Sequence, residues 1–327
     1  MYKVLIVGAG NIGSDYDNPE SKYFLTHAHA FTKHSGFELI GFVDNDPVKA
    51  QNASMKWSTR YFMNLNEAFK EYPAIDVVCI AVPDRLHYEI LKEVANFQPK
   101  LVFAEKPLTE TLDQALEIQK LYHELNIPVL INFKRAFVPE IIDIIGRASQ
   151  NEFGTFVSCS GLYNRGFKHN ASHLLDLISR FTECKQLNLL SVIDYISDFS
   201  VDDPSYSIVA RTEKDASVII KSFSGGAYPI FELDLHFSYA RIRLFNTGEN
   251  LEISRVQPSS AFSGFQILKP LVCIDTSLNQ SMAYAVENIY QYFTKAKKLT
   301  VPITDGIQVM LLTNQILKEI NNIVCQN

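Results

Sequence analysis

"MYKVLIVGAGNIG", residues 1–13, sets the apolar run Val4–Val7 directly before three glycines in GxGxxG spacing. A short continuous β-branched run of this kind reads as a strand buried on both faces. Gly8 then permits a tight turn, Gly10 lets the backbone approach a pyrophosphate, and Gly13 allows close packing where a helix starts. The N–H groups of that helix start, with Asn11 and Ile12 in the turn, favour an anion. Alone the spacing is a weak signal, because glycines also make plain strand–helix turns. It is answered by "GFVDND", where Asp44 ends the next strand-like run and can accept both hydroxyls of an adenosine ribose. An acid there repels a 2'-phosphate, so the expected cofactor is NAD, with NADP disfavoured.

Asp44 lies 31 residues after Gly13, beyond the ~20 residues usual for this fingerprint. The excess falls on "SDYDNPESKYFL", residues 14–25, a polar, Pro-containing loop set before a helix over "THAHAFTKH". Further apolar runs follow at "IDVVCIAVP", "KLVFAEKP" and "IPVLINF". They are separated by helical patterns in "DRLHYEILKEVANF" and "TLDQALEIQKLYHEL". Alternation of this kind predicts βαβ units and a doubly wound parallel sheet, assigned to residues 1–130. From about residue 137 the pattern becomes one helix start, "NASHLLDLISRF", and then strand-like runs from "QLNLLSVIDYI" to "LEISRV". This predicts an α+β domain over residues 131–327 with a large, mainly antiparallel open sheet. Two closing helices are expected in "QSMAYAVENIYQYFTKA" and "TDGIQVMLLTNQILKEINNIV", the second capped by Thr304 or Asp305.

At 327 residues, 47% hydrophobic, the chain has ample core for two domains. A net charge of -6, with one compact basic cluster at Lys295, Lys297 and Lys298, argues against nucleic acid or an anionic membrane as partner. Five scattered cysteines without a CxxC pair argue against a disulfide framework and a zinc ribbon. With no signal-peptide pattern and no apolar stretch near ~20 residues, the expected location is the cytoplasm.

"AVPDRLH" and "AEKPLT" stand at the carboxyl ends of two strand candidates, where open α/β sheets bind ligands. Val82, Pro83, His87 and Glu105 are therefore expected near the cofactor. Lys106 precedes Pro107, which holds the lysine backbone out of helix and presents its ammonium from a defined edge. An ammonium so placed can stabilise the oxygen of an alcohol losing hydride. In "GFKHNASHLLDLISRF", His169 and His173 stand four apart, with Asp176 three further on. Such spacing can chelate a metal, place a proton-transfer group or simply mark a helix entrance. A zinc site would want the HExxH glutamate, and Asn170 stands in its place, so no metal is expected. Asn170 is expected either as a helix N-cap or at a substrate hydroxyl.

The order GAGNIG, Asp44, "AVPDRLH", "AEKPL" and "SHLLDL" resembles the glucose-fructose oxidoreductase/inositol dehydrogenase (Gfo/Idh/MocA) family over nearly the whole chain. The resemblance implies a Rossmann domain, then an α/β domain with a large open sheet serving dimer or tetramer contacts. It implies hydride transfer between nicotinamide and a sugar, polyol or sugar nucleotide, with Lys106 as the catalytic lysine and His173 as the proton-transfer histidine. Arg135, Tyr163, Arg165, His169 and Asn170 are then expected at the substrate. Basic Arg135, Arg165 and Lys168 suit a nucleotide-linked sugar, as in surface-polysaccharide synthesis. Many members carry an aspartate four residues before the histidine, where this chain has His169. Two alternatives remain open: a non-catalytic dinucleotide sensor, and NAD-dependent glycoside cleavage through transient oxidation.

Overall fold

In the computed structural model, which describes residues 1–324, the chain divides into two units. The first comprises residues 1–137 and 279–307, the second 138–278 and the rest of the chain. Cys325 lies outside the described residues.

The first unit runs β1 (Tyr2–Val7), α1 (His27–Lys33), β2 (Phe37–Val43), α2 (Pro47–Lys56), β3 (Arg60–Phe62) and α3 (Leu65–Glu71). It continues with β4 (Val77–Ile80), α4 (His87–Ala95), β5 (Leu101–Ala104), α5 (Leu112–Glu124) and β6 (Val129–Ile131). The six strands are all parallel, in the order β3-β2-β1-β4-β5-β6. That is the doubly wound order of a Rossmann domain. Every residue of β4, β5 and β6 is buried, as a sheet covered on both faces requires. Helix starts carry the expected polar caps: Asp46 for α2, Asn64 for α3, and a Thr111/Gln114 capping box for α5.

The second unit contains α6 (Pro139–Ser149), β7 (Phe156–Tyr163), α7 (Ser172–Thr182), β8 (Leu187–Ser200), β9 (Asp203–Thr212), β10 (Ser217–Ser222), β11 (Phe231–Phe237), β12 (Ala240–Phe245), β13 (Asn250–Pro258) and β14 (Gln266–Asp275). Its eight strands lie in the order β14-β13-β12-β11-β7-β10-β9-β8. All neighbours are antiparallel except β7 and β10. Strict alternation of buried and partly exposed residues along β11 and β12 gives this sheet one covered face. Residues Ser172 to Ile178 of α7 are all buried, and a Cβ on Gly161 of β7 would come within 2.8 Å of Leu174. Glycine there lets the helix lie close on the strand.

Two expectations about organisation need correction. The boundary falls after Phe137, and residues 279–307, expected in the second domain, return to the first unit. That return carries α8 (Ser281–Lys295), which packs on α1 and on the turn Lys134–Phe137. Met282, Val286 and Ile289 are buried there, each worth roughly 1.5–3 kcal/mol. Periodicity identified this helix but could not say which layer it would cover. The last helix, α9 (Ile303–Val324), starts one residue before Thr304, so Thr304 and Asp305 lie inside its first turn and do not cap it.

Candidate functional site

The carboxyl edge of the parallel sheet is cross-linked from strand to strand. After β1 the chain makes a single π turn, Asn11–Asp15, begun by Gly10. Gly8 has φ +104°, and a Cβ on it would sit 2.4 Å from the Ala81 carbonyl oxygen. A Cβ on Gly13 would sit 2.2 Å from the Gly8 oxygen, whereas one on Gly10 would meet nothing within 4 Å. Gly8 and Gly13 are therefore demanded by the protein itself. Gly10 leaves a space that the protein does not fill, and Asn11 beside it is exposed. Such a turn fits a pyrophosphate against unpaired helical N–H groups. Beside it, Asp44 accepts the Ala9 N–H on Oδ2 (2.8 Å) and the Asp46 N–H on Oδ1 (2.9 Å). Each oxygen keeps a lone pair for a ribose hydroxyl.

The polar loop expected after the glycines is present: the π turn ends at Asp15 and α1 begins only at His27. Asp17, 7% exposed, organises it by accepting the N–H groups of Leu25 and Thr26 and the Thr26 hydroxyl. It also meets Nδ1 of the buried His29 at 3.0 Å. From α2 and its C-cap, Lys56 Nζ (2.7 Å) and Trp57 Nε1 (3.3 Å) donate to the Ser14 carbonyl, closing the end of the short turn. Trp57, the chain's single tryptophan, thus reports on the glycine turn.

Glu105 and Lys106 leave β5 side by side, both half-buried, and the Lys106–Pro107 peptide is cis. Glu105 Oε1 lies 2.9 Å from His27 Nε2 and accepts from Asn132 Nδ2 at 2.6 Å. Burial alone pushes the Glu105 carboxyl up, but the bonds from His27 and Asn132 and the charge of Lys106 outweigh it. The carboxyl is held below its usual range. The histidines of α1 are thus structural partners, and neither His27 nor Asn132 was expected at this edge. Asn132 stands just past β6 as Glu105 stands just past β5, a positional signal available in the sequence. At the exit of β4, Pro83 is exposed and Val82 half-buried. His87, expected at the cofactor, is fully buried with both ring nitrogens facing backbone carbonyls, so it does not face the cofactor directly. Arg135, expected at the substrate, is 4% exposed in the turn after β6.

The second unit holds the histidine segment. A π turn, Phe167–Ala171, precedes α7 and begins at Gly166, φ +85°. Asp203 accepts the N–H groups of Lys168 (2.7 Å) and His169 (2.9 Å), and Asp198 accepts that of Arg165 (2.7 Å). Burial pushes the Asp203 carboxyl up, against the pull of those N–H groups. Phe199 stacks on His169, with centroids 4.5 Å apart and planes at 20°. The tip of the β8–β9 hairpin therefore frames His169, a relationship more than thirty residues long that no local pattern announces. His173 is 7% exposed on α7, edge-on to Phe231. Asp176 pairs with Arg180 at 2.8 Å, and among the described residues no three His, Cys, Asp or Glu side chains could hold a metal.

Three expectations shift. Tyr163 is fully buried and donates its hydroxyl to the Tyr206 carbonyl (2.9 Å), so it is a core residue and not a substrate contact. Asn170 lies inside the π turn, its amide donating to the Asn164 carbonyl (2.7 Å), and does not cap α7. Arg165 and Lys168 are exposed, as a basic entrance requires.

Residues 2–133 match the model of an oxidoreductase family described as an NAD-binding Rossmann fold. An uncharacterised oxidoreductase of Synechocystis is 31% identical over 113 residues, 35% of this chain and 30% of that protein. A redox-sensing transcriptional repressor of Thermotoga maritima is 28% identical over 132 residues, 38% of this chain and 58% of that protein. The matched segments thus span about a third to three-fifths of these relatives. Among solved structures, UDP-N-acetylglucosamine 3-dehydrogenase of Acidithiobacillus ferrooxidans superposes with a TM-score of 0.74 at 14% identity, over 96% of this chain and 95% of that one. Among the described residues no helix is long and apolar enough to cross a membrane.

Proposed function

We propose that this chain, whose residues 2–133 match the Gfo/Idh/MocA oxidoreductase family, oxidises or reduces a secondary alcohol of a sugar or nucleotide-linked sugar. The observation that carries this reading is the cross-linked edge of the parallel sheet. The glycine turn, Asp44 and Lys106 leave adjacent or near-adjacent strands of one rim. Bound NAD supplies the hydride acceptor at C4 of its nicotinamide. Gly10 admits the pyrophosphate, and Asp44 takes the adenosine ribose and disfavours a 2'-phosphate. Lys106 steadies the oxygen on which negative charge develops, and His173 takes the hydroxyl proton. Glu105, anchored by His27 and Asn132, holds the lysine's backbone in place.

The exposed Arg165 and Lys168 suit the diphosphate of a nucleotide sugar, in keeping with a role in surface-polysaccharide synthesis, and the related fold of a UDP-sugar dehydrogenase supports that class. Leu190, Ile193 and Tyr195 near one edge of the open sheet, and Leu271 at the other, are each more than half exposed. A second copy of the chain is the proposed partner for that surface, as a homodimer or homotetramer. Free cysteines, three of them buried, are consistent with a cytoplasmic location. The test is the appearance of reduced nicotinamide on mixing the protein with NAD and a panel of polyols and UDP-sugars.

A second reading, a dinucleotide sensor without turnover, is favoured by the likeness of residues in the first unit to a redox-sensing repressor. Binding of NAD without turnover on any panel member would support it. Lys106 at the rim argues for chemistry, since a sensor has no use for it.

A further inference from the structure

We propose that His87 is a positioning residue whose imidazole straps the exit of β4 to the exit of β5 and so fixes the loop that presents Lys106. The proposal deepens the hydride-transfer reading and rests on it for its purpose. Nδ1 of His87 lies 2.7 Å from the Pro107 carbonyl oxygen, and Nε2 lies 2.9 Å from the Val82 carbonyl oxygen. The ring is fully buried and is carried by the first residue of α4, so its own backbone is held in a helix.

A strap is needed at this point. The last ladder bonds here run from the Ala81 N–H to the Val7 oxygen (2.8 Å) and from the Glu105 N–H to the Ile80 oxygen (3.0 Å). Beyond them both segments have left the sheet, and Lys106 sits in the first peptide past the ladder. Pro107 has no N–H of its own with which to anchor the turn. His87 takes hold of the carbonyl one residue after Lys106 and ties it to the segment bearing Val82 and Pro83.

Both partners are carbonyl oxygens, which only accept. A neutral imidazole carries one N–H and donates to one of them; the contact with the Pro107 carbonyl is the shorter and is the one that joins the start of α4 to the segment bearing Lys106. Ionisable side chains on the joined segments are Asp84, Arg85, Tyr88, Glu89, Glu105 and Lys106. With both nitrogens occupied and the ring sealed, His87 acts through Lys106 and not on substrate or cofactor.

The experiment uses the full-length protein labelled with 15N-histidine, with the His87 signals identified as those lost in His87→Gln. The proposal expects the His87 ring N–H to be slow to exchange with solvent. A His87 ring N–H that exchanges as fast as that of an exposed histidine would overturn the strap. Trace acetylation followed by mass spectrometry then reads Lys106 against exposed Lys33. His87→Ala, or His87→Gln if the alanine variant does not fold, is expected to change the relative reactivity of Lys106 several-fold, and an unchanged ratio overturns the positioning role. Neither readout needs a substrate. Formation of reduced nicotinamide by the unsubstituted protein with NAD and the sugar panel tests the hydride-transfer reading separately, so the two can fail independently.

Discussion

Nε2 of His27 lies 2.9 Å from Oε1 of Glu105, joining the helix after the glycine turn to the residue that precedes the proposed catalytic lysine. Because burial is outweighed by His27, Asn132 and Lys106, the folded carboxyl sits below its ordinary value. The stability it contributes is therefore complete above about pH 4.3 and is lost as the pH falls through the lowered value. Glu105→Gln is expected to lower stability at pH 7 by about 1.5–3 kcal/mol, the range for hydrogen bonds to a charged group. Thermal midpoints of both proteins should converge as the medium is acidified. A gap that stays constant to the lowest pH at which both fold would contradict the charged network.

The glycines separate folding from binding. Gly8→Ala places a Cβ 2.4 Å from a carbonyl oxygen in a left-handed conformation, and about 1–3 kcal/mol of strain is expected. Gly10→Ala meets nothing within 4 Å, so its melting temperature should stay near that of the unsubstituted protein. NAD binding, read by the fluorescence of Trp57, should nevertheless weaken tenfold or more, about 1.4 kcal/mol. Normal NAD affinity in Gly10→Ala would remove the pyrophosphate from that turn.

Asp44 sets the adenosine end. Replacing it with Asn removes a charge-assisted acceptor, and its single amide oxygen can keep only one of the bonds from the Ala9 and Asp46 N–H groups. NADH affinity should fall about tenfold and NADPH affinity should hold or rise. A native protein that already prefers NADPH in the same titration would overturn this role.

Much of the first unit could be read directly, and the reason is locality. Each strand exit announces itself within a few residues, from Val7–Gly8 to Ala104–Glu105, and the alternation of strands with helices points to a parallel sheet. Even the insertion after Gly13 was visible as polar residues before Thr26, which does cap α1. What escaped were bonds between distant segments. His27 and Asn132 meet Glu105 across 78 and 27 residues. Asp203 reaches back 34 residues to His169. Tyr163, which the family resemblance implied at the substrate, instead has its ring turned into the core by strand alternation. Pattern fixes which face of an element is apolar, and tertiary contact alone decides what that face meets.

The β8–β9 hairpin tip should govern the histidine segment. Phe199→Ala removes the stack on His169 and is expected to cost about 1 kcal/mol of stability, with KM for the eventual substrate raised more than kcat is lowered. Gly166→Ala should cost more, because its Cβ would sit 2.2 Å from the Asp203 carboxylate at φ +85°. Chemical denaturation of the two variants gives the comparison. Equal stability of Gly166→Ala and the unsubstituted protein would show that Asp203 does not hold this turn.

The central claim, hydride transfer assisted by Lys106 and His173, is tested most directly by following reduced nicotinamide with NAD and a polyol and UDP-sugar panel, in the unsubstituted protein, Lys106→Ala and His173→Ala. The account predicts turnover on at least one sugar, lost by a factor of about 10²–10⁴ in each variant, with NAD still bound. Full turnover in both variants would contradict it.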